Sequence, residues 1–175
     1  VSENNDINKQ ALEELSSSYK EKAENLMIVD LLRNDLGKNC KYGSVKVTKL
    51  FDIETFANVH HLVSTIQGRI SSSSNIFKLI KGCFPGGSIT GAPKIRAMQI
   101  INELEPNGRG IYCGSIGYIS SNGNAYFKIA IMSVAATKYK LFFWGGGGIV
   151  YDSEVKSEYK ETFDKIRPLL EIFEN

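Results

Sequence analysis

The sequence predicts an α+β protein in which an antiparallel β-sheet core is flanked by helices. Helical periodicity is concentrated near the two ends of the chain, whereas residues 114–144 read as short extended segments. The Asn-Gly pair at 122–123 is typical of a tight turn between antiparallel strands. With 175 residues the chain has the usual size of one domain, and no boundary between two domains is visible.

The first half of the chain is predicted to pass from helix to extended structure. Residues 1–8 read as a polar lead-in, and a helix is expected from about Gln10 to Leu36, with Gly37 as its C-terminal cap. Residues 44–70 are rich in Val, Ile, Thr and Phe and read as extended segments. The buried stripe of the helix is expected to consist of Leu26, Val29, Leu32 and Leu36.

The second half is predicted to contain loops, strands and a closing helix. Pro and Gly dominate residues 83–93, which read as a loop. The other elements expected are a serine turn at 71–74, helices at 76–80 and 93–104, strands at 114–120, 125–135 and 140–144, and a helix at 154–172.

Composition and charge exclude several classes of protein. The 21 basic and 19 acidic residues give a formal charge of +2, too mild to indicate binding to nucleic acid or to an anionic membrane. The best apolar run, residues 26–29, is far too short to span a membrane, and the polar start does not resemble a signal peptide. Cys40, Cys83 and Cys113 lack metal-site spacing and are expected to be free thiols in a reducing cytoplasm.

Two pairs of glutamates stand out. Glu21 and Glu24 lie three residues apart near the start of the chain, and Glu158 and Glu161 have the same spacing near its end. Side chains at this spacing project from one face of a helix. Four such carboxylates on two facing helices would suit a hard cation such as Mg²⁺. Spacing alone favours the simpler alternative, two solvated helix faces.

Two glycine-rich segments could bind an anion. The stretch Pro85-Gly-Gly-Ser-Ile-Thr-Gly-Ala-Pro-Lys94 fails the nucleotide P-loop pattern, because its lysine does not follow the second glycine directly. It does lead into a helix N-terminus, which favours a phosphate or a carboxylate. The run Gly145–Gly148 follows a strand, so its amides could approach a ligand or pack tightly against another element.

Five blocks of the sequence stand out, at residues 24–35, 59–64, 84–98, 112–118 and 146–150. Together they resemble the chorismate-utilising family, and the similarity covers roughly residues 20–170. Three segments have sequences that are most similar to the first component of aminodeoxychorismate synthases: Ser88-Ile-Thr-Gly-Ala-Pro-Lys94, Tyr112-Cys-Gly-Ser-Ile-Gly-Tyr118 and Glu158-Tyr-Lys-Glu-Thr-Phe-Asp-Lys165. The resemblance identifies residues 9–175 as the C-terminal part of a chorismate-binding catalytic domain.

The resemblance also implies a site. It implies Glu24 and Glu161 as direct Mg²⁺ ligands, with Glu21 and Glu158 acting through water. The metal would hold the ring carboxylate of chorismate while the 4-hydroxyl leaves. The other implied positions are His61 beside the reacting ring, Ser88 in the pocket, Tyr112 at the pyruvyl carboxylate, and Gly146, Gly147 and Gly148 at the ring carboxylate.

The implied reaction is amino transfer to chorismate, giving 4-amino-4-deoxychorismate for p-aminobenzoate and folate synthesis. Ammonia would come from a glutamine amidotransferase, either a subunit or a fused domain. Two alternatives stay open: the first component of an anthranilate synthase, and a truncated or degenerate domain without catalytic activity.

Three departures from the family pattern bear on activity. Met132 stands where the family has an arginine for the pyruvyl carboxylate, and a thioether cannot replace that contact. Lys128 lies roughly 13 Å away along the expected strand, and Tyr126 stands where an aspartate is usual. The upstream Pro-Ile-Lys-Gly-Thr segment of aminodeoxychorismate synthases is also not found. The chain is therefore expected to be a fragment, a split product, or the product of a decaying gene.

Overall fold

Two helices open the described part of the chain, where the sequence predicts one. In the computed structural model, which describes residues 5–56, 59–151 and 153–173, helix α1 covers Asn5–Ser17 and helix α2 covers Tyr19–Gly37. The prediction of a single helix is wrong because Ser18 has extended backbone and its hydroxyl accepts a hydrogen bond from Glu21 N at 3.2 Å. A serine in this position satisfies a free helical N–H and starts a new helix. Helix α1 also begins at Asn5, ahead of the predicted start.

The chain divides into two compact units, Val1–Gly87 and Ser88–Asn175. In the first, strands β1 (Lys46–Thr55) and β2 (His60–Gln67) form an antiparallel hairpin against which α2 packs. Helix α3 (Ile76–Cys83) follows, and a 3₁₀ turn, η1, covers Gly87–Ile89. The sequence indicates the elements of this unit but not the division after it.

The apolar face of α2 is narrower than predicted. Val29 is 3% exposed, whereas Leu26 is 45% exposed and Leu32 and Leu36 are half-buried. Polar contacts complete the packing of this helix. Asn25 Nδ2 donates to the Leu62 carbonyl at 3.0 Å, and Ser64 Oγ donates to Asn25 Oδ1 at 2.6 Å. Helix α2 is thus fixed to β2 by hydrogen bonds as well as by apolar burial.

The second unit contains two helices and two hairpins. Helices α4 (Lys94–Leu104) and α5 (Val155–Glu171) flank the strands in the chain order, and Pro93 is the N-terminal cap of α4. The described residues form three two-stranded antiparallel sheets, β1-β2 in the first unit and β3-β4 and β5-β6 in the second. The strands of the second unit are β3 (Ser115–Ile119), β4 (Ala125–Ile129), β5 (Ser133–Ala136) and β6 (Leu141–Trp144).

The long strand predicted at 125–135 is wrong, because the structure divides it into β4 and β5. Ala130 bonds back to the turn before β3, since its carbonyl accepts from Cys113 N at 2.8 Å and its amide donates to Gly114 O at 3.0 Å. Met132 then takes a left-handed φ of 47°, which a regular strand does not allow. Strand β4 pairs with β3, and β5 pairs with β6. Met132 and Lys128 therefore do not share the face of one strand.

The predicted hairpin turn is confirmed. Gly123 N donates to Ser120 O at 3.0 Å, and Gly123 takes a φ of +87°, a conformation that favours glycine. Helices combined with antiparallel sheets give the α+β class that the sequence predicts. Among the described helices, none has both the length and the apolar character needed to cross a bilayer.

Candidate functional site

The run of glycines after β6 places backbone directly against three different partners. A methyl group on Gly145 would overlap the Ile166 side chain on α5 and would lie 3.4 Å from the Thr162 carbonyl. Tight packing against a neighbouring element, the structural alternative raised by the sequence, therefore explains Gly145. Gly146 and Gly147 face polar side chains instead, so these two glycines are the ones that could contribute to a binding site.

Gly146 lies against the hydroxyl of Tyr112. A methyl group on this glycine would overlap Tyr112 Oη, so only a residue without a side chain permits the approach. Tyr112 is half-buried, and burial raises the pKa of its hydroxyl to about 12. The hydroxyl is therefore protonated at neutral pH and can donate a hydrogen bond. A donor next to exposed backbone suits a carboxylate ligand.

Gly147 lies beside the two glutamates of α5. A methyl group on Gly147 would stand 3.2 Å from Glu158 Oε2 and 3.9 Å from Glu161 Oε1. The spacing of three residues thus directs both carboxylates to one side of the helix, as the sequence predicts. Glu158 is only 7% exposed and Glu161 is half-buried. Two solvated helix faces, the simpler reading of the spacing, do not describe this pair.

Two further residues hold this carboxylate pair in place. Ser153 Oγ donates to Glu158 Oε1 at 2.7 Å and accepts from Val150 N at 3.0 Å, so the loop before α5 orients the buried acid. Lys165 Nζ donates to Glu161 Oε1 at 2.6 Å and to the Gly146 carbonyl at 3.5 Å. Sequence reasoning missed both residues, although the four-residue step from Glu161 to Lys165 is a helical ion-pair spacing.

The donor set of α5 fits a hard cation. Mg²⁺ prefers oxygen ligands and commonly takes one or two carboxylates directly while keeping several waters. Glu158 and Glu161 supply two carboxylates side by side, and the ammonium of Lys165 already approaches this spot. Within each unit, the described residues contain no group of three or more His, Cys, Asp or Glu side chains able to hold a metal.

Ser88 lies on the 3₁₀ turn η1 and is exposed to solvent. The backbone next to it is held by a residue that the sequence did not single out: Arg109 Nη1 donates to the Ile89 carbonyl at 2.9 Å. The glycine-rich loop is thus connected to the segment that carries Tyr112. The second unit therefore contains Ser88, Tyr112, the glycine run and the α5 glutamates.

The remaining predicted residues belong to the first unit. Glu21 is exposed in the first turn of α2, and Glu24 is half-buried on the same helix. Their roles as metal ligands stay a prediction. Asn25 directly follows Glu24 and bonds β2 as described above, which fixes this part of α2. The sequence block that begins at Glu24 contains Asn25, but its spacing gave no separate signal for this role.

The two adjacent histidines point in different directions, as expected for neighbours on a strand. His60 is half-buried, and its Nδ1 lies 2.9 Å from Thr55 Oγ1. His61 is exposed, and its ring meets Phe56 edge-on with centroids 5.6 Å apart. The exposed imidazole of His61 is the one able to meet a ligand, and its catalytic role stays a prediction.

The helices and antiparallel sheets define an α+β protein, in whose second unit glycine backbone, a tyrosine hydroxyl and two glutamates lie together. The family of chorismate binding enzymes matches residues 1–171. The chain belongs to this family, and the resemblance inferred from the five sequence blocks is confirmed. The match covers both units, so neither is foreign to the family.

Similar proteins make the relationship more specific. Aminodeoxychorismate synthase component 1 of Salmonella typhimurium is 53% identical over 95% of this chain and 37% of its own length. The protein of the same name from Escherichia coli is 52% identical over 95% of this chain and 36% of its own length. The chain thus spans just over a third of the length of these relatives.

The fold is also found in a solved structure. The crystal structure of anthranilate synthase component I from Streptococcus pneumoniae superposes with a TM-score of 0.84 at 40% identity. The superposition covers 93% of this chain and 37% of that protein. The predicted α+β class of the chorismate-binding fold is therefore confirmed.

Proposed function

We propose that this chain takes part in Mg²⁺-dependent amino transfer to chorismate, giving 4-amino-4-deoxychorismate for p-aminobenzoate and folate synthesis. The observation that carries the proposal is the arrangement around the glycine run of the second unit. Tyr112 meets Gly146 there, and Glu158 and Glu161 meet Gly147. The 53% identity to an aminodeoxychorismate synthase component 1 supports this choice of reaction.

The glycine run would bind a carboxylate of the substrate. Backbone amides at Gly146, Gly147 and Gly148 can approach an anion closely because no side chain intervenes. The protonated hydroxyl of Tyr112 would donate to the pyruvyl carboxylate, since its raised pKa keeps the proton in place. Neither group needs to change its charge during the reaction.

The α5 glutamates would hold Mg²⁺. Ser153 already orients Glu158, and Lys165 bridges Glu161 to the glycine run, so the carboxylates are placed before any ion binds. Bound Mg²⁺ would supply Lewis-acid polarisation of the ring carboxylate as the 4-hydroxyl leaves. The family resemblance assigns Glu21 and Glu24 to metal binding as well.

The family resemblance assigns His61 to a place beside the reacting ring and Ser88 to the pocket. The ring nitrogens of the exposed His61 imidazole can donate or accept a hydrogen bond. The exposed hydroxyl of Ser88 can donate or accept a hydrogen bond. Both assignments come from the matched sequence blocks. Ammonia would come from a glutamine amidotransferase, as a subunit or a fused domain, and the site of action would be the cytoplasm.

Formation of anthranilate is the second candidate function. The observation in its favour is the 40% identity and 0.84 TM-score to an anthranilate synthase component I. The two reactions differ in one measurable product, because aminodeoxychorismate keeps the enolpyruvyl group of chorismate whereas anthranilate does not. Release of pyruvate therefore separates them.

The test uses the complete product of the gene that encodes this chain, and the 175-residue chain alone in parallel. Each is mixed with chorismate, ammonium and Mg²⁺, and the products are identified by mass spectrometry and by an enzymatic pyruvate assay. Aminodeoxychorismate without pyruvate supports the proposal, and anthranilate with equimolar pyruvate establishes the second candidate. If the complete protein forms neither product, both candidate functions are refuted and the domain is non-catalytic.

The variant Met132→Arg tests the departure from the family pattern at position 132. If loss of the arginine limits the reaction, this variant raises turnover and lowers the KM for chorismate. Because Met132 follows the end of β4 and lies outside the paired strands, the side chain can be exchanged without breaking a sheet hydrogen bond. An unchanged KM would show that position 132 does not bind substrate.

A further inference from the structure

The guanidinium of Arg109 joins three separate segments of the second unit. Its Nη2 donates to Glu105 Oε1 at 2.7 Å and its Nε donates to Glu105 Oε2 at 2.9 Å, at the C-terminal end of α4. Its Nη1 donates to the Ile89 carbonyl at 2.9 Å. Its Cζ lies 5.8 Å from the centroid of the Tyr112 ring. One side chain thus contacts a helix end, the turn that carries Ser88, and a proposed substrate-binding tyrosine.

The geometry of the Glu105 pair makes Arg109 a fixed point. A guanidinium that donates to both oxygens of one carboxylate is restricted in orientation as well as in distance. The Arg109 side chain is only 24% exposed, so water competes weakly for these bonds. The paired charges also stabilise each other: Glu105 raises the pKa of Arg109, and Arg109 lowers the pKa of Glu105.

The same pairing argues against Arg109 as a direct anchor for a substrate carboxylate. The family pattern puts an arginine at position 132, where this chain has Met132, so a second arginine near Tyr112 is a candidate substitute. However, the carboxylate of Glu105 already takes two of its donors and balances its charge. An anion approaching Arg109 would meet the negative charge of Glu105 as well.

Arg109 contacts two parts of the proposed pocket, the turn that contains Ser88 and the ring of Tyr112. Ile89 directly follows Ser88, and both belong to the short turn η1. Tyr112 belongs to the same turn as Arg109, because Tyr112 N donates to the Arg109 carbonyl at 2.9 Å. Stacking of the guanidinium on the ring then limits rotation of the Tyr112 side chain.

We propose that Arg109 is a positioning residue that sets the Ser88 turn and the Tyr112 hydroxyl in one fixed arrangement; this rests on the proposed function. Arg109 does not touch substrate. Its effect passes through Ile89 and through the Tyr112 ring. Glu105 serves the same purpose by fixing the orientation of the guanidinium.

Four variants of the complete gene product test the inference: Arg109→Gln, Arg109→Lys, Glu105→Gln and, as a matched control, Arg96→Gln. Arg96 is 58% exposed on α4 and also pairs with a glutamate, Glu103, so it controls for loss of a surface arginine. The first readout is hydrogen–deuterium exchange of the peptide that contains Ile89 and Thr90. The second is the separation of kcat from KM for chorismate.

Arg109→Gln is expected to speed exchange at Ile89–Gly91 about tenfold and to lower kcat more than it raises KM. Arg109→Lys should recover little, because an ammonium cannot donate in a fork. Glu105→Gln should act in the same direction as Arg109→Gln, with a smaller effect, and Arg96→Gln should change nothing. If Glu105→Gln instead tightens chorismate binding, Arg109 is a direct anchor and the positioning role is refuted.

The exchange readout separates this inference from the proposed function. Failure of the unmodified protein to convert chorismate would refute the proposed function, and exchange at Ile89–Gly91 would still report on the contact. Unchanged exchange in Arg109→Gln would refute the inference even in a fully active enzyme. A general loss of folding would accelerate exchange in α5 as well, whereas loss of positioning is confined to the turn.

Discussion

Among the described residues, each unit buries one carboxylate, and the two are held in different ways. Asp35 of the first unit is 1% exposed, and Lys38 Nζ donates to its Oδ1 at 2.9 Å. Glu158 of the second unit is 7% exposed, and a hydroxyl, Ser153 Oγ, donates to its Oε1 at 2.7 Å. A buried acid is costly unless it is paired or hydrogen-bonded, so both must be stabilised.

The two acids also differ in their positions and surroundings. Asp35 lies near the end of α2 with its cation one turn away, an arrangement suited to closing a helix. Glu158 presents Oε2 to the backbone of Gly147, where a substituent would intrude. An acid fixed by a lysine serves stability, and an acid fixed by a hydroxyl beside bare backbone can bind a ligand. The following predictions test this contrast.

Glu158→Ala should have the largest effect. If Glu158 holds the cation, we expect affinity for Mg²⁺ to fall by more than about 100-fold, because partners that only orient metal ligands already cost roughly 10- to 100-fold. Mn²⁺ electron paramagnetic resonance in the complete gene product measures the affinity without requiring turnover. Glu154→Ala is the control, since Glu154 is exposed at the start of the same helix. Equal affinities in the two variants would contradict a metal role for Glu158.

Asp35→Ala should lower stability and leave cation affinity unchanged. Loss of a buried hydrogen-bonded charge costs about 1–3 kcal/mol, and Lys38 is 54% exposed, so its charge returns to water easily. Urea unfolding followed by circular dichroism measures the loss. Asp30→Ala removes an ion pair in which both side chains are more than half exposed and should cost less than about 0.5 kcal/mol. A fall in Mn²⁺ affinity for Asp35→Ala would break the proposed division of roles.

Gly147→Ala should weaken the site by crowding it. The new methyl group would stand 3.2 Å from Glu158 Oε2, so the carboxylate must shift by a few tenths of an ångström. We expect affinities for Mn²⁺ and chorismate to fall about tenfold, because metal sites are sensitive to ligand placement at this scale. Gly108→Ala is the matched control, since nothing lies within 4 Å of a methyl group there. Calorimetric titration of both variants decides the matter.

Tyr112→Phe should have the smallest effect of these substitutions. We expect it to change how the stability of the protein depends on pH. Burial raises the pKa of Tyr112 from 10.0 to about 12 in the folded chain, so the unfolded chain loses this proton first as the pH rises. The folded state then binds more protons, and stability falls with increasing pH above about 10. The phenylalanine variant should show a shallower fall in urea-unfolding free energy over this range. Tyr42→Phe, at a fully exposed tyrosine, is the control for the loss of a hydroxyl.

The blocks that identify the family could be read from the sequence because they combine glycine and acidic residues in unusual order. The spacing of Glu158 and Glu161 predicted their shared direction, and the structure places both at Gly147. The glycine run predicted close backbone approach, but not that Gly145 packs on α5 while Gly146 meets Tyr112. Which neighbour a glycine admits depends on contacts between distant segments, which no local pattern encodes.

The errors in the predicted fold have local physical causes. Ser18 lies within a continuous helical pattern, yet its hydroxyl competes with the backbone and starts a second helix. Apolar residues run unbroken from Ile129 to Met132, so the sequence reads as strand where the structure turns. The contacts of Ser153 and Arg109 come from residues outside the quoted motifs. Their identity as surface polar residues gives no warning of their partners.

Met132 has a left-handed backbone conformation and lies at a corner between β4 and β5. The hydrogen-bonded pairing of β3 with β4 and that of β5 with β6 both stop at this corner. Met132 belongs to neither set of paired residues, so its side chain is exempt from the cross-strand matching that constrains both neighbours. Substitutions at such a corner can accumulate without a penalty to the fold. A different side chain at this corner could change the contacts made there while the pairing of both ladders is kept.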